Sequence, residues 1–143
     1  MNGAGQFLQK TQVKDTFWTR TRETVRREGI PYQWRALNDA IPDAEPSYCM
    51  RNFRVAAGKE TGDFGGFVFQ DSDIYKWLEG VAFSLRWHPD AQLEAIADGA
   101  IQAVAEAQQP DGYLDTYYII NGLDKRFTNL KDHHELYVAG HMI

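Results

Sequence analysis

The chain has 143 residues, a formal net charge of −5 and 13% aromatic residues. The aromatic content excludes a disordered chain, and the mild acidity argues against a nucleic-acid partner, because a phosphate backbone favours a basic surface. The sequence has neither a run of roughly 20 apolar residues that could span a bilayer nor the pattern of a signal peptide. Together with a single cysteine, Cys49, this predicts a soluble cytoplasmic protein without a membrane partner.

The first part of the chain predicts a short extended segment and a helix. Residues 7–13 partly alternate between apolar and polar types and can form an edge strand. Asp15 is placed to cap a helix that runs to about Glu28, and Gly29 and Pro31 are predicted to end it. The apolar spacing places its buried side at Phe17, Trp18, Thr21 and Val25.

The next region predicts one more helix and then irregular structure. Residues 32–40 can form a helix with Trp34 and Leu37 facing inward. Residues 52–66 are rich in glycine and predict tight turns, without the pattern of a phosphate-binding loop. Cys49 lies before them in a predicted loop, and no activating base stands beside it, which argues against a nucleophile.

Two strongly periodic helices follow and predict an αα-hairpin. Asp71 or Asp73 caps the first, which ends near His88, and a three-residue link leads to the second. So short a link makes the two helices antiparallel. Their predicted buried faces are Ile74, Trp77, Leu78, Val81, Ala82 and Leu85 in the first helix, and Leu93, Ile96, Ala97, Ala100, Ile101 and Val104 in the second.

The last part predicts a loop and a terminal helix. Residues 113–120 are aromatic and β-branched, which favours a short hairpin or an extended loop before the Asn121-Gly122 turn. Asp132 and Glu135 form the pattern of a capping box. The buried stripe of the terminal helix is predicted at Leu136, Ala139, Gly140 and Ile143. Because no stop signal follows, the chain is predicted to be the N-terminal piece of a longer protein.

His134, Tyr137 and His141 form a second stripe on the terminal helix. Zinc-protease helices place two histidines one turn apart, but His134 and His141 are seven residues apart, roughly 10 Å along the axis. A shared metal is therefore rejected. A histidine at a helix N-terminus is favoured as a neutral ring that exchanges hydrogen bonds with a sugar hydroxyl. For His134 a capping or core role is an equal alternative, and for His141 it is the stronger one.

The acidic residues Asp71 and Asp73 start the hairpin. Capping explains one carboxylate, and the other can bind a ligand hydroxyl or an arginine. A glycosidase needs two catalytic groups at a defined separation, which the sequence does not give.

Five segments resemble the β-L-arabinofuranosidase family, glycoside hydrolase family 127, in the same order. They are IPYQW (30–34), VAAG (55–58), VFQDSDIYKWLE (68–79), AQQPDGYLDT (107–116) and HELYVAGH (134–141). The resemblance implies an all-α chain, the N-terminal part of an (α/α)6 barrel. Residues 1–143 would then be an incomplete portion of that catalytic domain, with the rest of the domain as partner.

The resemblance also implies chemistry. The family is retaining and removes β-L-arabinofuranose from oligosaccharides of plant glycoproteins, with a zinc-bound cysteine as nucleophile and a glutamate as acid/base. None of these residues matches a position here, so zinc is expected only in the full-length enzyme, and the chain alone is expected to be inactive and to self-associate. His134 matches the sugar-contacting histidine, Asp73 falls in the DSD motif, and His141 is the third candidate for substrate binding.

Two other interpretations remain open. One is a non-catalytic helical module that binds a partner through exposed apolar faces. The other is a fragment of another (α/α)6 enzyme, such as a polysaccharide lyase or a sugar epimerase. The sequence beyond Ile143 discriminates the first of these from a family 127 enzyme, since a downstream cysteine pair with a glutamate is expected only in the enzyme.

Overall fold

The computed structural model describes residues 12–143, and these residues contain helices and no strand. The helices of this part are α1 (Thr16–Thr24), α2 (Ile30–Leu37), α3 (Cys49–Ala56), α4 (Ser72–Trp87), α5 (Ala91–Ala107), α6 (Thr116–Asn121), α7 (Leu130–His133) and α8 (Glu135–Met142). The predicted edge strand, residues 7–13, lies outside the described residues except for its last two, which have no regular structure. Within the described part, every helix is too short or too polar to cross a membrane.

Helices α1 and α2 are joined through a π-helical turn, Val25–Gly29. Asp15 caps α1 as predicted, since its Oδ1 accepts a hydrogen bond of 2.8 Å from the Trp18 N–H. The predicted end at Gly29 and Pro31 is wrong. The wider turn, in which the Ile30 N–H bonds to the Val25 carbonyl, accommodates the missing N–H of Pro31 at the start of α2.

The buried side predicted for α1 is wrong as well. Phe17 is 68% exposed, Trp18 53% and Val25 50%. The two rings of Phe17 and Trp18 contact each other edge to face instead of entering the core. Helical spacing places apolar residues on one face, but a partner element must cover that face before they are buried.

Helix α2 does face inward as predicted. Leu37 is buried, and the Trp34 ring stacks on the Trp77 ring of α4 at 4.7 Å. The Trp77 indole N–H donates to the Ile30 carbonyl over 3.1 Å. Apolar and polar contacts therefore join α2 to α4.

Helix α3 overlaps the beginning of the region predicted to be irregular, residues 52–66, and the rest of that region is irregular as predicted. Its buried residues are Cys49, Met50, Asn52 and Phe53, and the irregular chain begins only after Ala56. Cys49 is thus the first residue of a helix and fully buried, so its predicted position in a loop is wrong. The glycines that follow predict turns, but burial of Phe53 stabilises a helix just before them by about 1.5–3 kcal/mol.

Helices α4 and α5 form the predicted hairpin. Asp90 caps α5 by accepting from the backbone N–H groups of Gln92 and Leu93. The core between the helices contains Ile74, Trp77, Val81, Ala97, Ala100 and Ala107. Ala82, Ile96 and Ile101, which were predicted to be buried, are exposed.

Helix α6 replaces the predicted hairpin or extended loop. Asp115 caps it through the Tyr118 N–H at 3.3 Å, and Tyr118 is buried. Gly122, with φ of +133°, then ends the helix. Aromatic and β-branched residues favour strands, but here the cap and the burial of Tyr118 stabilise a short helix.

The predicted terminal helix is broken into α7 and α8 at His134. Asn129, not Asp132, caps α7. Glu135 does not complete a capping box, because its buried carboxylate points inward. The predicted buried stripe is wrong: Val138 is buried, whereas Leu136 is 60% exposed and Ile143 is fully exposed.

Candidate functional site

A row of aromatic and imidazole rings lies where α8 packs against the start of α4. We call Phe67, Phe69, His134, Tyr137 and His141 the ring surface. Two of these rings come from the loop before α4, and three come from α8 or its first flanking residue. The sequence pattern identified the three on α8, but nothing in it indicated that the loop rings lie beside them.

His134 forms the junction between α7 and α8. Its backbone is left-handed, with φ of +56°, a conformation uncommon for a residue with a side chain. The exposed imidazole contacts Phe69 at 5.4 Å and Tyr137 at 6.3 Å between ring centres. The helix break therefore directs His134 towards solvent beside aromatic rings, and α8 begins immediately after it.

His141 lies one turn beyond Tyr137 on α8. Its ring contacts Tyr137 edge to face at 4.6 Å, so the predicted stripe of His134, Tyr137 and His141 is confirmed as a geometric feature. His141 is exposed and also lines a cavity of about 740 Å³ between α4, α5 and the end of α8. It therefore lies at the far end of the ring surface from His134.

Asp73 is half-buried in the first turn of α4. Its Oδ2 accepts a hydrogen bond of 2.7 Å from the buried side-chain amide of Gln70, and Lys76 lies 3.5 Å from its Oδ1. These partners orient the carboxylate but leave acceptor capacity free. Asp73 lines a separate cavity of about 390 Å³, together with Gln33, Ala36, Leu37, Ser47, Lys76 and Trp77.

Lys76 connects Asp73 with the ring surface. Its ammonium lies 5.1 Å from the centre of the Tyr137 ring and donates to the Ser72 hydroxyl over 2.9 Å. A hydrogen bond from Lys76 is the main cause that lowers the pKa of the Tyr137 phenol. Lys76 and Tyr137 thus connect Asp73 with the stripe that contains His134 and His141. The sequence placed Tyr137 on that stripe, but nothing in it indicated that Lys76 lies beside Tyr137.

A buried carboxylate lies directly behind this neighbourhood. Asp71 occupies the N-cap position of α4, but its side chain accepts from the N–H and the hydroxyl of Thr116, each at 2.6 Å, and does not cap α4. Burial raises the pKa of Asp71 to about 6, against the lowering effect of the Thr116 hydrogen bonds. Asp71 therefore connects α4 to α6 and is unavailable to a ligand.

Asp115 and Glu135 are buried as well. Burial and then the charge of Asp71 raise the pKa of Asp115 to about 7. Glu135 accepts from the Tyr113 hydroxyl at 2.5 Å and from the Phe127 N–H at 2.7 Å. Both carboxylates stabilise the loops around α6 and α7, and Glu135 also fixes the start of α8 beside His134.

Residues 12–143 contain no cluster of three or more histidine, cysteine or acidic side chains that could hold an ion. The Cys49 thiol is buried against the Gln70 carbonyl at 3.5 Å, and burial raises its pKa. A buried thiol of this kind is unreactive, so these residues do not fit a zinc-bound thiolate.

Comparisons with known proteins bear on this surface. The sequence model of the β-L-arabinofuranosidase GH127 catalytic domain matches residues 10–143. A non-reducing end β-L-arabinofuranosidase from Bifidobacterium longum subsp. longum is 43% identical over 92% of this chain and 22% of its own length. The chain thus spans about a fifth of that relative.

Two solved structures are similar as well. A GH127 β-L-arabinofuranosidase from Geobacillus stearothermophilus T6 is 58% identical, with a TM-score of 0.89 over 91% of this chain and 20% of that one. A second GH127 β-arabinofuranosidase is 31% identical, with a TM-score of 0.78 over 92% of this chain and 21% of that one. The family resemblance and the prediction of an all-α part of an (α/α)6 barrel are confirmed.

Proposed function

The chain belongs to the family of β-L-arabinofuranosidases with a GH127 catalytic domain, and we propose that it forms part of such an enzyme. The complete enzyme would be a retaining glycoside hydrolase that releases β-L-arabinofuranose from plant-derived arabino-oligosaccharides. The 43% identity to a non-reducing end β-L-arabinofuranosidase supports this substrate class. The relatives are about five times longer, so the proposal concerns the whole protein to which the chain contributes one portion.

The role proposed for this portion is to bind the sugar. His134 is placed to exchange hydrogen bonds with a sugar hydroxyl, because its exposed ring stands between Phe69 and Tyr137. Asp73 can accept from a second hydroxyl, and His141 would bind at the opposite end of the ring surface. The observation that carries this proposal is the position of His134, where a strained helix junction presents the imidazole among aromatic rings.

Sugar rings combine apolar C–H faces with hydroxyl groups, and the ring surface offers partners for both. Phe69 and Tyr137 provide flat apolar contacts. His134 can be donor or acceptor, whereas an ionised Asp73 can only accept. Because Gln70 and Lys76 already hold the Asp73 carboxylate, little side-chain entropy would be lost when a hydroxyl binds there.

We propose that the nucleophile, the acid/base and the zinc ligands come from outside this chain. The burial of the Cys49 thiol supports the assignment of the nucleophile to another part of the enzyme. Zinc, when bound in the complete enzyme, would stabilise a thiolate at neutral pH. The residues of this chain would bind and orient the sugar, and the isolated chain is expected not to hydrolyse arabinofuranosides.

The remainder of the catalytic domain is the proposed protein partner. Several large apolar residues on α1, α5 and α8 are exposed and would be covered by it: Phe17, Trp18, Ile96, Ile101, Leu136 and Met142. Apolar faces of this kind also support the alternative of a helical binding module. A cytoplasmic location stays a proposal, supported by the free, buried thiol of Cys49.

The test is to change His134 in the complete enzyme and measure release of arabinose from a β-L-arabinofuranoside. His134→Ala is expected to lower kcat/KM about tenfold, because the loss of a neutral hydrogen bond to a bound sugar costs about 1 kcal/mol. His88→Ala is the matched control, since His88 is also exposed but contacts Glu23 of α1. Equal activity of both variants would contradict the proposed role of His134.

A further inference from the structure

Phe67 presents a large apolar ring to solvent at one end of the ring surface. It is 69% exposed, and one face of its ring stacks on Phe69 at 5.4 Å, with the planes only 6° apart. Phe69 in turn contacts His134 at 5.4 Å. Two successive ring contacts therefore lead from the proposed sugar-binding histidine to an open aromatic face.

The backbone that carries Phe67 is fixed by two buried amide side chains. Asn52 bonds to both the N–H and the carbonyl of Gly65, at 3.1 and 2.9 Å. Gln70 accepts from the Phe67 N–H at 3.3 Å. The ring position is thus set before any ligand arrives, which lowers the entropy cost of binding.

The glycine before Phe67 is required for this arrangement. Gly66 has φ of +82°, and a Cβ there would lie 2.9 Å from the Gln70 amide oxygen and 3.1 Å from the Ser47 carbonyl. The loop therefore approaches these two groups closely and turns so that Phe67 points outward.

We propose that Phe67 determines specificity by packing against the sugar ring on the leaving-group side of the substrate. The inference rests on the proposed function, in which His134 contacts the arabinofuranose that is released. A second sugar joined to that arabinofuranose would extend from His134 past Phe69 to the open face of Phe67. The flat ring matches the apolar C–H face of a sugar, and Phe69 lies between it and His134.

The experiment compares two substrates of the complete enzyme: methyl β-L-arabinofuranoside, which lacks a second ring, and a β-L-arabinofuranosyl disaccharide. Phe67→Ala is expected to raise KM for the disaccharide about tenfold and to change KM for the methyl glycoside less than twofold. Phe67→Trp keeps a flat ring and is expected to keep the wild-type KM for both substrates. Phe67→Leu, which keeps apolar bulk without a flat ring, is expected to behave as the alanine variant.

Phe83→Ala is the matched control, because Phe83 is also an exposed phenylalanine, 46% accessible, but lies on α4 beside α1. It should leave both KM values unchanged. If Phe67→Ala changes KM equally for the two substrates, or for neither, the specificity role is wrong while the proposed function stands. If the wild-type enzyme hydrolyses neither arabinofuranoside, the proposed function fails and the inference fails with it.

Discussion

Two neighbouring regions of this molecule reverse the usual distribution of polar and apolar groups. The first region, which we call the polar junction, contains Asn52, Asp71, Asp115 and Thr116, and all four residues are buried. The second is the ring surface, where Phe67 and Tyr137 are 69% and 45% exposed. Carboxylates and amides are thus inside, and aromatic rings are outside.

The difference shows how a rigid frame supports an open surface. Polar groups in the junction accept or donate at fixed angles, so they specify one arrangement of α3, α4 and α6. Asp71 binds Thr116 across that junction, and Asn52 binds the loop that leads to Phe67. The rings outside need no mutual hydrogen bonds, because the junction behind them holds their backbones in place.

The largest expected effect is that of pH on the stability contributed by the polar junction. The folded chain raises the pKa of Asp71 to about 6 and of Asp115 to about 7, above the unfolded value of about 3.9. Between these values the folded state binds more protons than the unfolded state, so the free energy of unfolding falls as pH rises from about 4 to about 7. The loss should be several kcal/mol, because each pKa unit corresponds to about 1.4 kcal/mol and both groups contribute. Urea unfolding of the chain across this range measures it.

Asp115→Asn should remove a large part of that slope, because asparagine still caps a helix but carries no charge. Asp111→Asn is the control, since the hydrogen bond with Arg126 lowers the pKa of the exposed Asp111 and its effect falls below pH 4. If the pH dependence of unfolding is the same in Asp115→Asn as in the unchanged chain, the pKa of Asp115 is not raised in the folded state.

The second effect concerns the bond across the junction. Asp71→Ala leaves the N–H and the hydroxyl of Thr116 buried without their acceptor. The expected loss of unfolding free energy is about 3 kcal/mol, at a pH where Asp71 is ionised. Asp73→Ala, two residues away and half-buried, should cost under about 1 kcal/mol in the same denaturation measurement. Equal losses in the two variants would show that the hydrogen bonds from Thr116 to Asp71 contribute no more to stability than the contacts of Asp73.

A smaller effect tests whether the junction holds the ring surface. Asn52→Ala removes both hydrogen bonds to Gly65. It should destabilise the chain by about 2 kcal/mol and speed hydrogen exchange at the Gly65 and Phe67 amides more than at α5. Uniformly faster exchange along the chain would indicate general destabilisation and not release of the loop.

The smallest effect lies on the surface itself. Lys76→Met removes the main cause of the lowered pKa of Tyr137, so that pKa should rise. The measurement is a ¹³C NMR titration of labelled tyrosine. Lys59→Met is the control, because Lys59 pairs with Glu106 on α5. If Lys76→Met leaves the pKa of Tyr137 unchanged, the two side chains do not contact each other in solution.

Features set by residues close in sequence were predictable. The cap at Asp15 depends on a side chain and the next turn of backbone, and it is confirmed. The α4–α5 hairpin follows from strong periodicity and a short link. The stripe of His134, Tyr137 and His141 follows from helical spacing. It is present in the structure because all three residues lie on one short helix or its cap.

Features that depend on distant partners were not predictable. The local sequence predicts that Asp71 caps a helix, but its hydrogen-bond partner is Thr116, 45 residues away. The local sequence predicts that Glu135 forms half of a capping box, but its buried carboxylate accepts hydrogen bonds from Tyr113 and Phe127 instead. The place of Phe67 and Phe69 beside His134 depends likewise on the packing of α8 against α4, which no local pattern encodes.

The central claim is that the ring surface binds the sugar, and the structure of the complete enzyme with β-L-arabinofuranose tests it most directly. We predict that a sugar hydroxyl lies within hydrogen-bond distance of the His134 ring, with Phe69 and Tyr137 beside the sugar. A sugar bound elsewhere, for example between Tyr113 and Phe127 with His134 facing solvent, would contradict the account.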